Sequence, residues 1–189
     1  MNYRRSSFDI VLALIGINVA IFIATLFKPD APYTLGLTPA LFTAQPWTLL
    51  TAMFLHASWL HILANMITLY FFGTYLAQIV GDGWLLATYF IGGIAGNLLF
   101  VALAPTYSIA VGASGAIFAL AGALAVLRPS ARVFIIPIPV PMPMWIAVIG
   151  SFVVLSFIPG VAWQAHLGGL ATGLVSGYLF SRRRAGRYR

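Results

Sequence analysis

Apolar residues run along this chain in long blocks, and charges divide them. Asp9 and Lys28 bracket one block, Ile10–Phe27. No charge lies between Asp30 and Asp82, between Asp82 and Arg128, or between Arg132 and Arg182. One helical crossing of a bilayer needs about 20 apolar residues. The last two stretches exceed twice that, and each holds a turn signal, "APTYS" (Ala104–Ser108) and "IPG" (Ile158–Gly160). In the stretch after Asp30, Pro32, Pro39 and Pro46 interrupt the first half, whereas Ser58–Val80 is unbroken. The pattern predicts six helical spans over residues 10–27, 58–80, 84–104, 113–127, 144–158 and 162–180. The expected fold is an all-α membrane bundle forming one domain over residues 1–189. The first block lacks a small-residue cleavage site and reads as a retained span, not a signal peptide. Loop 31–56 mixes prolines with Leu, Phe and Trp, which predicts segments in the outer interface. "IPIPVPMPM" (Ile136–Met144) carries proline at alternate positions and is expected to be extended, leading into the fifth span.

Composition agrees with this pattern. The 189 residues are 61% hydrophobic and 7% charged, against about a quarter charged in a soluble domain. Such a chain cannot cover a water-facing surface. Cysteine is absent, which excludes disulfides and a thiol nucleophile. The net charge of +7 raises the question of nucleic acid. Most basic residues, however, sit at the two ends and in one short loop, so no nucleic-acid partner is expected. With the N-terminus inside, Arg4, Arg5, Arg128, Arg132, Arg182, Arg183, Arg184, Arg187 and Arg189 fall on the cytoplasmic side and only Lys28 outside. The positive-inside bias therefore places both termini in the cytoplasm.

Against this background a few polar residues stand out. In that topology, spans two, four and six run from outside to inside. His61 lies early in span two, Ser114 early in span four and His166 early in span six. Polar groups in a membrane are costly and mark function by default. Ser114 begins a helix, where N–H groups lack intrahelical partners and favour negative charge. From Ser114 to Leu127 a helix rises roughly 21 Å at 1.5 Å per residue. If Arg128 marks the inner boundary, Ser114 lies roughly 10 Å below the outer one. Two readings stand: a small residue that lets helices pack, or a nucleophile.

His166 bears on that choice. Gly169, Gly173 and Gly177 follow it at i+3, i+7 and i+11, and Ala121 and Ala125 follow Ser114 at i+7 and i+11. Two smooth faces are thus expected to meet with Ser114 and His166 level, where a histidine can activate a serine. The alternative is a histidine bonding another helix. No carboxylate falls at that depth, so a catalytic pair would be a dyad. His61 and Asn65 share a face at i, i+4, with Ser58 as N-cap. They are either donors to an oxyanion or interhelical hydrogen-bonding groups. His56 falls before the helix and reads as structural. His56, His61 and His166 lack the spacing and acidic partner of a metal site, so none is expected.

With these residues in view, the chain resembles the rhomboid intramembrane serine proteases over nearly its whole length. The resemblance rests on "HASWLHILAN" in span two, "GASG" (Gly112–Gly115) opening span four and "AHLGG" in span six. It implies Ser114 as nucleophile and His166 as general base. It also implies an oxyanion hole of His61, Asn65 and the Ser114 amide, with Gly112, Gly115, Phe118, Gly169, Gly173 and His56 in support. No cofactor is implied. The substrates would be single-span membrane proteins cut near the outer leaflet, in a prokaryotic plasma membrane, with access sideways near span five. Oligomeric state stays open. Three positions depart from the family pattern: Thr48 where arginine commonly follows the tryptophan, Phe118 where tyrosine is common, and Gln78 where glutamate is frequent. Two other readings compete. A relative that binds helices without cutting them would not need both Ser114 and His166. A transporter would need polar residues across the bilayer, and here they stop near one face.

Overall fold

The computed structural model describes residues 3–135 and 138–186. Its helices are α1 (Tyr3–Leu26), α2 (Ala31–Leu35), α3 (Thr48–Thr51), α4 (Trp59–Thr68), α5 (Thr74–Val80), α6 (Asp82–Leu103), α7 (Ser114–Leu127), α8 (Met144–Ser156) and α9 (Trp163–Gly186). A π turn at Leu69–Gly73 joins α4 to α5, so Trp59–Val80 runs on as a single apolar helix. Each of the six expected spans therefore coincides with a helix. Three of these, Asp9–Leu26, Trp59–Val80 and Asp82–Leu103, are long and apolar enough to cross a membrane. Helices α7 and α8, with 14 and 13 residues, are shorter. At 1.5 Å per residue α7 spans about 21 Å, less than the hydrocarbon thickness of about 30 Å. Helices α1 and α9 run past the expected spans into arginine-rich ends, since arginine is a good helix former once the chain leaves the apolar layer.

The structure is the expected helical bundle with one short non-helical element. Strands β1 (Arg132–Ile135) and β2 (Ile138–Pro143) pair as an antiparallel hairpin between α7 and α8. The extended reading of "IPIPVPMPM" holds for residues 138–143. Residues 136 and 137 lie outside the described residues, as do Arg187 and Arg189.

Helix α7 occupies the centre. Every residue from Gly115 to Ala125 is buried, as expected of a helix apolar on all sides. Helix α9 packs along it in parallel and α6 runs antiparallel to both. Glycines set the spacing. A Cβ on Gly169 would collide with the Gly115 carbonyl oxygen, and one on Gly173 with that of Ala119. At Gly177 the added atom would lie 2.8 Å from the Ala123 carbonyl oxygen. The α9 glycine face thus meets Gly115, Ala119 and Ala123, not Ala121 and Ala125 as expected. The physical reason is the 3.6-residue period: the seam follows i, i+4 steps from Gly115. Ala121 and Ala125 are buried elsewhere on α7. Helix α6 brings a second glycine set. Gly92 would clash with Ala119, Gly93 with Met53, and Gly96 with the Ala165 carbonyl oxygen.

Loop 31–56 folds into short helices on this frame. Leu37 pairs with Ala110 through two backbone hydrogen bonds of 3.0 and 2.9 Å. The Trp47 indole donates to Thr34 O at 3.0 Å, Thr51 Oγ1 to Leu35 O at 2.6 Å, and Asn97 Nδ2 of α6 to Leu49 O at 2.8 Å. These bonds anchor the loop. Thr48 is buried and donates locally to Gln45 O at 2.6 Å. Gln78 is exposed, more than three turns beyond Asn65.

Candidate active site

The site forms where loop 31–56, α4, α7 and α9 meet. Gly112 has φ +129°, a conformation that favours glycine, and its N–H donates to Ala52 O at 2.8 Å. An added Cβ there would lie 2.8 Å from both His61 Cε1 and Nε2, and 3.6 Å from Ser114 Oγ. Gly112 therefore turns the chain into α7 and leaves room for an imidazole beside the serine. Ala113 caps the helix and Ser114 is its first residue. The Ser114 N–H is one of the unpartnered donors of a helix start. Ser114 is partly exposed.

Helix α9 delivers His166. Its Nε2 lies 2.8 Å from Ser114 Oγ, so the serine hydroxyl donates to the ring when Nε2 is unprotonated. Gly115 allows this approach, since a Cβ there would press on the Ala165 carbonyl at 3.2 Å. Phe118, one turn below Ser114, lies against the His166 ring at 4.6 Å between centroids and 31° between planes. Phe152 of α8 meets Phe118 edge-on at 6.1 Å. His166 is 5% exposed, and its Nδ1 has no partner among the described residues. A proton taken by Nε2 would thus be held without a carboxylate behind the ring.

Helix α4 supplies the third wall. Ser58 Oγ accepts from the His61 N–H at 3.2 Å, the expected N-cap. The Ala57 N–H donates to His61 Nδ1 at 3.4 Å. With Nδ1 accepting, a neutral His61 carries its hydrogen on Nε2, one of the two ring atoms nearest Gly112. Asn65 is buried and donates through Nδ2 to His61 O at 2.8 Å. An amide has two N–H groups, so one remains for another acceptor. His56 sits behind His61, edge-on at 5.1 Å between centroids. Burial, then the neighbouring His61, lowers the His56 pKa to about 4. It is neutral at ordinary pH. Among the described residues no three histidine or carboxylate side chains gather closely enough to hold a metal ion.

The structure thus joins Ser114, His166, His61, Gly112, Gly115 and Phe118 in one contact set, with Asn65 and His56 attached through His61. The α6 contribution was missed from sequence. Gly92, Gly93 and Gly96 sit under Ala116, Ala119 and Ala165 and bring α7 and α9 together. The signal was the "GGIAGN" run in span three. Beside the site lies a mostly apolar groove of about 640 Å³, with Val111, Ala57, Trp59 and Lys28 in its lining.

Comparison with known proteins decides the family. The family model described as "Rhomboid domain" matches residues 43–183. This chain belongs to the rhomboid family. It is 36% identical to RHOMBOID-like protein 1 of Arabidopsis thaliana over 72% of the chain and 35% of that protein. Against Rhomboid protein 1, mitochondrial, of Saccharomyces cerevisiae the identity is 29% over 92% of the chain and 54% of that protein. The "Putative rhomboid protease YdcA" of Bacillus subtilis is 31% identical over 82% of the chain and 76% of its own length. The rhomboid chain spans between a third and a little over half of the first two relatives. The matched region holds Ser114, His166, His61 and Asn65, and the rhomboid fold is a multi-pass helical membrane bundle.

Proposed function

We propose that this rhomboid chain is an intramembrane serine endopeptidase that uses a Ser114–His166 dyad. The supporting observation is the 2.8 Å approach of His166 Nε2 to Ser114 Oγ at the head of a buried helix. In this reading Ser114 Oγ attacks a substrate carbonyl carbon while His166 Nε2 takes the hydroxyl proton. The carbonyl oxygen becomes an oxyanion and receives hydrogen bonds from the Ser114 N–H, His61 Nε2–H and the second N–H of Asn65. Collapse expels the new amine, which takes the proton from His166. Water then repeats the sequence on the acyl-serine and frees the carboxylate. Donors aimed at developing charge in a water-poor site contribute most of such a rate gain.

The substrates proposed are single-span membrane proteins. An intact helix hides its carbonyls, so segments with Gly, Ala or Pro near the outer end expose the scissile bond most readily. We place the Ser114 end outside and both termini in the cytoplasm on the arginine bias, and the chain in a prokaryotic plasma membrane. The test is incubation of purified protein with a labelled single-span substrate beside Ser114→Ala. Cleavage by the wild type alone supports the reading. Equal cleavage by both, with contamination excluded, defeats it.

A further inference from the structure

The β1–β2 hairpin projects from the end of the bundle opposite Ser114, and the proposed dyad leaves it without a role. It is rooted firmly. The Met144 N–H donates to Ala131 O at 2.8 Å, Met144 is fully buried, and Val133 packs on the core. Arg132 faces Pro143, Val133 faces Met142 and Ile135 faces Ile138, with a bulge between Val133 and Ile135. Opposed side chains share a face, so Val133, Ile135, Ile138 and Met142 form an aliphatic one, with Val140 joining by alternation. Beyond the root this surface is bare, with Ile138 47% and Val140 60% exposed, and Phe134 between Val133 and Ile135 is 67% exposed on the other side of the hairpin.

Chemistry narrows what can cover it. Pro139, Pro141 and Pro143 have no N–H, so Ile138, Val140 and Met142 supply any β2 donors toward β1. The outer edge of β2 then has carbonyls and no donors, and a peptide strand cannot complete a ladder there. Charge points the same way. Arg128 and Arg132 flank the hairpin, both exposed. Because α7 and α9 run parallel, Arg182 and Arg183 lie at the same end. Asp9 and Asp82 are the acidic groups there. A short apolar projection, rooted at the ends of two bilayer helices and flanked by Arg128 and Arg132, matches the boundary between phosphate headgroups and acyl chains.

We propose that the hairpin docks on the anionic lipid surface at that end of the bundle: Ile138 and Val140 enter the headgroup boundary, and Arg128 and Arg132 meet the phosphates. Helix α8 starts one residue after the hairpin, so docking fixes the foot of that helix to the lipid.

The chain has no cysteine, so Val140→Cys gives a single labelling site for an environment-sensitive fluorophore. The full chain is reconstituted in vesicles of phosphatidylcholine alone or with one-third phosphatidylglycerol. The expected result is blue-shifted emission, quenched by nitroxide lipids labelled near the headgroup, in the anionic vesicles. Each arginine near an anionic surface contributes about 1 kcal/mol, so R128Q with R132Q should lower the docked-to-free ratio by about 30-fold. Salt at 1 M, where the Debye length is about 3 Å, should do much the same. Water-like emission in every vesicle overturns the proposal. So does equal burial in neutral and anionic vesicles, or burial that appears only on adding soluble protein. If Val140→Cys lowers thermal stability, Ile138→Cys carries the same measurement.

Discussion

Helices α7 and α8 are near equals in length and apolarity, with 14 and 13 residues, yet they occupy opposite environments. Helix α7, SGAIFALAGALAVL, is buried from Gly115 to Ala125. Helix α8, MWIAVIGSFVVLS, buries only Met144, Ala147 and Val148, all in its first two turns. Beyond them Val154 is 65% exposed, and Phe157, just past the helix, 83%. The difference lies in side-chain size. Lipid tails are as apolar as leucine, so apolarity alone does not draw helices together. Gly and Ala let α6, α7 and α9 approach backbone to backbone, whereas the large residues of α8 hold it off. A reacting group must be fixed to a fraction of an ångström, which suits α7. Elements that move come from the weakly packed end of a structure, which suits α8. Phe152, edge-on to Phe118, is where the two regimes touch near the dyad.

The largest expected effect tests what the fixed region does. Ser114→Ala should reduce cleavage below detection, because among the described residues Ser114 alone offers a hydroxyl bonded to His166. His166→Ala should come close to the same loss, since a serine without a base is weak. The measurement is steady-state cleavage of a labelled single-span substrate, with thermal unfolding in parallel. Retained cleavage in a folded, uncontaminated Ser114→Ala sample would show that the tight packing serves something other than this dyad.

Asn65→Ala should leave the dyad intact and remove one oxyanion donor. Such losses typically cost about 10²–10³ in kcat, or roughly 3–4 kcal/mol, with KM little changed. In the structure Asn65 also donates to His61 O, so part of any loss could come from His61 shifting. Asn65→Ser separates the two. Its hydroxyl can still donate to the i−4 carbonyl of His61, but it leaves no second N–H for the oxyanion, and it should be as inactive as Asn65→Ala. Wild-type kcat in a folded Asn65→Ala protein would remove Asn65 from the oxyanion hole.

The contrast between α7 and α8 was only partly legible in the sequence. The spans could be read because charge and proline interrupt the apolar blocks, and each block closes its own backbone hydrogen bonds as a helix. Ser114 and His166 could be paired because each opens a span of the same direction. The packing partners were harder. Gly169 and Gly173 announced a close approach but not what approaches, since hydropathy does not distinguish one buried face of an all-apolar helix from another. That is why Ala121 and Ala125 were expected where Gly115 and Ala119 stand. The hairpin register and the tie from Asn97 to Leu49 depend on contacts far apart in sequence, and no local pattern encodes them.

Gly173→Ala should destabilise the protein by about 2–3 kcal/mol, the upper range for overpacking, because the new methyl meets the Ala119 carbonyl and not a flexible side chain. The measurement is the unfolding midpoint in a fixed detergent or bilayer. Cleavage should fall as well, since any separation of α7 from α9 lengthens the Ser114–His166 approach. A neutral Gly173→Ala would mean that the seam yields freely, and the site would lose its claim to rigidity.

The smallest expected effect is also opposite in sign. Gly150 lies in the middle of α8, and a Cβ added there meets nothing within 4 Å. Its backbone is helical, so alanine fits without strain. Glycine in a helix interior costs about 0.5–1 kcal/mol relative to alanine through backbone entropy. Gly150→Ala should therefore raise the unfolding free energy by up to about that amount, while Gly173→Ala lowers it. The two substitutions are chemically identical and sit in helices of one bundle, so general effects of the added methyl cancel between them. What remains is whether another backbone lies against the glycine. If Gly150→Ala destabilises as much as Gly173→Ala, α8 is held as closely as α9. Helix α8 would then be packed as firmly as its neighbours, and the expectation of sideways access near span five would lose its support.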